Sequence, residues 1–178
     1  MKLAEALRLK TDYAKKLSQL KSRIRAGCTV QEGDEPPEKP QELLVEYEEL
    51  SQKLFELGIA INLANSREKI SYPSHYDNIN NLEIIGAYNS DEIPASIVRR
   101  TRLLSEALSE RDILSTKIQT YRDILDACNI SSFRMSKQEI KIMATMDVKV
   151  LNKKIDLLSK FLRLIDVKIQ ESNWLIEI

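Results

Sequence analysis

Residues 40–65, PQELLVEYEELSQKLFELGIAINLAN, decide how the chain is read. Leu43, Tyr47, Leu50, Leu54, Leu57 and Ile61 recur at alternating steps of four and three, so they share one face of an α-helix. Pro40 suits the first turn, where a missing N–H costs nothing. Leu44 and Phe55 widen the stripe beyond a strict two-in-seven seam. Such width suits a bundle interior, or an interior plus a second face for self-association.

Three further segments carry the same period. From about Leu3 to Ile24 the apolar positions are Leu3, Leu7, Ala14, Leu17 and Ile24, with Lys10 interrupting and Gly27 placed to end the helix. From about Pro94 to Cys128 they are Leu104, Ala107, Leu114, Ile118, Tyr121, Leu125 and Cys128. From about Asp147 to Ser172 they are Leu151, Ile155, Leu158, Leu162, Ile165 and Ile169, widened by Phe161 and Leu164, with Asp147 able to cap the start. Only four Gly and five Pro interrupt the chain, which suits long helices. The pattern predicts an all-α fold: a long antiparallel four-helix bundle, 1–178 as a single domain.

Charge sorts between the first two helices. Residues 1–26 hold eight Lys/Arg and two acids, a net of +6, whereas residues 31–56 hold nine acids and two Lys, a net of −7. Opposite signs favour packing these two helices as a hairpin and disfavour pairing like with like.

The connections add smaller expectations. Cys28–Gln31 reads as a short strand before an acidic, Pro-closed turn, and alternation at Ile140, Ile142 and Ala144 suggests another. In an up-down-up-down bundle these two connections emerge at one end, where the strands are expected to pair as a two-stranded β cap. The middle connection, the irregular insertion 66–95, is too long for a plain bundle turn and is expected at the other end, with a small hairpin near Leu82–Ile85 and Gly86.

Composition limits the function classes. The 27 basic and 27 acidic residues cancel, so no global field draws the chain to nucleic acid or an anionic membrane. No apolar run approaches a membrane span, and the charged first residues lack an apolar h-region, which predicts a cytoplasmic protein. Cys28 and Cys128, far apart and outside any CxxC, are expected as free thiols, Cys128 buried; a bridge between them at the capped end is geometrically conceivable.

The opening LAEALRLKTDYAKKLSQLKSRI, the turn Val30–Pro36 (VQEGDEP), Leu104–Asp112 (LSEALSERD), the block from Arg134 through Glu139–Lys141 to Asp147, and the final Ile169–Trp174 (IQESNW) together resemble a small bacterial family. Its members are uncharacterised helical proteins, some labelled septicolysin. The resemblance spans nearly all of 1–66 and 98–178 and implies a helical fold. The label implies a pore-forming toxin, but the chain shows neither an export signal nor alternating segments for a barrel wall.

The candidate site residues gather at the expected capped end. Glu32, Asp34 and Glu35, with Gln31 and Glu38, crowd one turn and offer oxygen ligands for a hard cation. The bland alternatives are complementarity to the next helix dipole, or pairing with Arg134, Lys137 or Lys141. Glu139 completes the mixed acidic and basic set. Arg111, on the third stripe, reads either as a buried grip for an anionic ligand or as a polar layer fixing register. The single histidine, His75, reads as a loop residue and excludes di-iron chemistry, which needs paired Glu-x-x-His motifs. Arg99, Arg100 and Arg102 open the third helix, but no interleaved aromatics support nucleic-acid binding. Trp174 is expected buried at the foot of the bundle or against another subunit. No phosphate loop, nucleophile elbow or zinc spacing occurs, so no cofactor is indicated. Two function classes remain: a non-enzymatic homo-oligomer, or a ligand- or divalent-metal-binding protein, and conceivably an enzyme, with its site at the capped end.

Overall fold

The computed structural model describes residues 1–81, 97–128 and 144–178. Helix α1 spans Leu3–Gly27, α2 Pro40–Arg67, α3 Leu104–Cys128 and α4 Val148–Leu175. Strands β1 (Lys69–Tyr72) and β2 (Arg100–Leu103) form a two-stranded antiparallel sheet, and a 3-10 helix covers Tyr76–Asn81. The fold is all-α with a small sheet, as the periodicity predicts. Two compact units divide the chain: Met1–Glu68 with Gln170–Ile178, and Lys69–Ile169.

In the first unit α1 and α2 pack against each other, the pairing that the opposed charges predict. Leu3, Ala6 and Leu20 of α1 are buried, as are Leu43, Leu57, Ile61 and Ala64 of α2. Arg23 grips Glu38 with two guanidinium nitrogens, and this hydrogen bond holds the Glu38 carboxyl below its ordinary range. Lys10, which interrupts the predicted seam, lies exposed. Residues 1–3 pair with 176–178: the Leu3 N–H donates to the Ile176 carbonyl at 2.9 Å, and Lys2 meets Glu177 at 2.7 Å.

The turn between α1 and α2 corrects one expectation. Cys28–Gln31 forms no strand; instead the Asp34 N–H donates to the Gln31 carbonyl at 3.0 Å, closing a β-turn. Gly33 sits in it at φ +95°, a conformation that a Cβ disfavours. A Cβ on Gly27 would stand 3.1 Å from Pro40 Cγ, so the close return of the chain also depends on a missing side chain. The second candidate strand, through Ile140 and Ile142, lies outside the described residues, as does the hairpin expected near Leu82.

The sheet belongs instead to the second unit, at the two ends of the middle connection. Lys69 pairs with Leu103, Ile70 with Arg102, Ser71 with Thr101 and Tyr72 with Arg100. Lys69–Tyr72 alternates exposed and buried, with Ile70 and Tyr72 inside, the period-two pattern of a half-buried strand. Because residues 100–103 are spent on this ladder, α3 begins at Leu104 and not near Pro94, and Arg100 and Arg102 are strand residues. The Leu103 N–H donates to Glu106 at 2.8 Å, which caps the helix directly off the strand. Asp147 caps α4 as its sequence predicts, accepting from the N–H groups of Lys149 at 2.8 Å and Val150 at 3.2 Å. Leu151, Ile155, Leu158, Phe161, Ile165 and Ile169 make the buried face of α4. Trp174, expected buried at the foot of the bundle or against another subunit, is 63% exposed within this chain, so its own helices do not bury it.

Candidate functional site

The second unit holds a buried polar centre on α3. The inward face of that helix is Leu104, Ala107, Glu110, Leu114 and Ile118. At 3.6 residues per turn, positions 110 and 111 both border this face, and the structure turns Glu110 inward. Arg111, expected inside, is half-exposed and spends its guanidinium on its neighbour Asp112, at 3.0 and 2.7 Å.

Glu110 accepts three hydrogen bonds: from the Tyr72 hydroxyl at 2.9 Å, the Ser74 hydroxyl at 2.8 Å and the His75 backbone N–H at 2.8 Å. All three donors come from the last residue of β1 and the segment that follows it. A buried carboxylate is costly unless its lone pairs are met, and three donors on two oxygens meet that need. Burial, with Glu110 alongside, pushes the Tyr72 phenol well above its ordinary range, so it stays a donor.

Asn78 secures the other side of the segment. Its side-chain amide donates to the carbonyls of Ser74 at 2.8 Å and Val98 at 2.9 Å, and accepts from the Val98 N–H at 2.8 Å. Asp77 takes Arg102 on both carboxylate oxygens, each at 3.0 Å, with Arg100 at 3.5 Å. Residues 74–78 are thereby tied to both strands' surroundings and to α3.

His75 is buried, contrary to its reading as a loop residue. Its ring lies edge-on to Phe161 of α4, centroids 5.5 Å apart, and to Tyr76, 5.4 Å apart. Its Nδ1 has no partner among the described residues. Burial lowers its proton affinity, Lys117 adds to that, and Glu110 opposes it. The neutral ring is therefore the stable form. Lys117 itself stands 4.8 Å over the Tyr76 ring and donates to its hydroxyl at 3.2 Å.

The arrangement holds residues 72–78 against α3. The Ser74 hydroxyl donates to Glu110 and accepts from the Tyr76 N–H at 3.2 Å, and it is fully buried, closed to a substrate from solvent. Of the residues picked from sequence, Glu32, Asp34 and Glu35 are exposed on their turn, and Arg134, Glu139 and Lys141 lie outside the described residues. Among the described residues, no group of three or more His, Cys, Asp or Glu is placed to hold a metal ion. A shallow hollow of about 160 Å³ at the start of α4 is lined by Met146, Asp147, Val150, Leu151 and Lys154, smaller than the several hundred Å³ usual for a ligand site. Both cysteines are free, Cys28 exposed and Cys128 half-buried.

A second feature lies on α2. Opposite its buried face, Leu44, Val45, Phe55, Ile59 and Leu63 are 46–65% exposed. At about 100° per residue these five fall within an arc of roughly 100°. The helix is apolar on two sides.

The sequence profile of a family of unknown function, DUF6847, matches residues 10–178. The chain belongs to this family. It is also similar to a functionally unknown conserved protein from Corynebacterium diphtheriae whose crystal structure is solved: the two are 34% identical, with a TM-score of 0.75 over 100% of this chain and 98% of that one. No curated protein matches the chain. DUF6847 membership bears out the expectation of an uncharacterised family. Among the described residues, no helix is long and apolar enough to cross a membrane.

Proposed function

We propose that this DUF6847 protein is a non-enzymatic, cytoplasmic helical protein that works through self-association. The observation that carries this reading is the outward apolar row of α2, Leu44, Val45, Phe55, Ile59 and Leu63. Exposed apolar residues scattered singly are ordinary. Five large ones share one arc of one helix, Phe55, Ile59 and Leu63 on successive turns and Leu44 with Val45 nearer its start, Glu48 and Gln52 standing between, and apolar clustering of this kind marks association surfaces. The buried polar centre at Glu110 supports the same reading, because its groups are consumed in holding residues 72–78. Pore formation, which the septicolysin label implies, has no part in the proposal.

Light scattering at micromolar concentration tests it. The wild-type chain is expected as a dimer or larger species, and Phe55→Glu combined with Leu63→Lys is expected to give a monomer with unchanged helical circular dichroism. A wild-type chain that stays monomeric throughout the micromolar range overturns the proposal.

A further inference from the structure

We infer that the outer face of α2 is covered by α2 of a second copy, lying antiparallel across a two-fold axis near residues 53 and 54. This rests on the self-association reading and adds the partner and its direction. Three observations support it.

The first is area. Four large side chains exposed by half or more, with Ile59 at 46%, together offer on the order of 500 Å² per copy, given the surface such side chains carry. Twice that reaches the roughly 1,000 Å² that separates a specific interface from incidental contact. An isologous interface, in which the same patch serves both copies, reaches it with no other surface.

The second is the position of the row within the helix. It runs from Leu44 to Leu63, about 28 Å at the standard rise. An antiparallel pair centred between residues 53 and 54 places Leu44 beside Leu63 of the other copy and Phe55 beside its Gln52. Ile59 then lies beside Glu48 of the other copy and Val45 beside its Asn62, and no apolar member is left beyond the end of the partner's row.

The third is charge. Residues 40–49 carry Glu42, Glu46, Glu48 and Glu49 and no base, whereas residues 58–67 carry Arg67 and no acid. A parallel pair would set four glutamates against the same four, and like charges juxtaposed across an interface are repulsive. The antiparallel pair lays the acidic end of each helix along the acid-free end of the other. The basic α1, packed on α2 within each copy, supplies further counter-charge.

The test uses two full-length variants in a background of Cys28→Ser and Cys128→Ser, one carrying Leu44→Cys and the other Leu63→Cys, both at exposed positions. The two are mixed and mildly oxidised, and light scattering is run on the same samples. The antiparallel pair is expected to give a 44–63 disulfide between copies as the dominant covalent product. The 44–44 and 63–63 products should be scarce, since those positions lie about 28 Å apart while a disulfide spans about 7 Å. A dimer that crosslinks 44–44 and 63–63, or does not crosslink, overturns the antiparallel α2 pair and leaves self-association standing. A sample that is monomeric by light scattering overturns both.

Discussion

Two polar stretches of this chain make opposite use of their charge. The turn from Gln31 to Glu38 carries four carboxylates, and Glu32, Asp34 and Glu35 all lie exposed beside a glycine-dependent bend. The segment from Tyr72 to Asn78 carries one acid, Asp77, yet its Tyr72 and Ser74 hydroxyls and the His75 backbone N–H converge on a single buried carboxylate from α3. In the first, Glu32, Asp34 and Glu35 face water, Arg23 takes Glu38, and each charge costs little. In the second, the groups are buried and every partner counts. Density of charge along a sequence is thus a poor guide to where charge matters energetically.

That contrast can be tested by substitution. The largest effect is expected for Glu110→Ala, which orphans three buried donors at once. A loss of about 3–5 kcal/mol in denaturant unfolding is expected, while Glu110→Gln, able to keep some acceptors, should lose less. Asn78→Ala removes three hydrogen bonds that join residues 74 and 98 and is expected to cost about 2–3 kcal/mol by the same measurement. If either is silent, the buried centre is no more consequential than the turn.

His75 makes the contrast pH-dependent. Its proton affinity is lowered in the folded chain from an ordinary value of 6.5. The unfolded chain therefore binds the extra proton first, so stability is full above about pH 6.5 and falls as pH drops below it. Thermal melts from pH 7.5 to 5 should show this slope, and His75→Phe, which keeps the ring against Phe161, should flatten it. An unchanged slope in that variant would show that His75 is not its source.

At the turn the expected effects are small. Gly33→Ala should cost about 1 kcal/mol, the price of a Cβ at positive φ. Glu32→Gln, Asp34→Asn and Glu35→Gln together should leave the denaturation midpoint unmoved. A clear destabilisation by the triple substitution would reverse the ranking of the two regions.

Much of the architecture was legible in the residues. The period of Leu43 to Ile61 marked α2, the opposed charges of 1–26 and 31–56 paired it with α1, and Asp147 marked the start of α4. The sheet was misplaced although Lys69-Ile-Ser-Tyr72 alternates in the strand manner. Four residues are too short a window to outweigh an expectation drawn from bundle topology, and the partner strand, Arg100–Leu103, hides its pairing in arginines that read as a helix start. Arg111 was favoured over Glu110 because a strict heptad passes through 111. The true helical period serves both positions, and only the donors gathered opposite decide between them. His75 looked isolated because its neighbours in space, Phe161 and Lys117, are 86 and 42 positions away.

By itself the sequence determined that four helices form and which of their faces are apolar, because those depend on residues three and four apart, although the start of α3 was read ten residues early. Through Leu44 and Phe55 it also showed a stripe wider than a two-in-seven seam, which left a broad interior and a second apolar face both open. Only the tertiary structure decided which polar residue is buried. Burial of a carboxylate is tolerable only where donors arrive from elsewhere in the chain, and no local pattern records that the Tyr72 and Ser74 hydroxyls will meet Glu110.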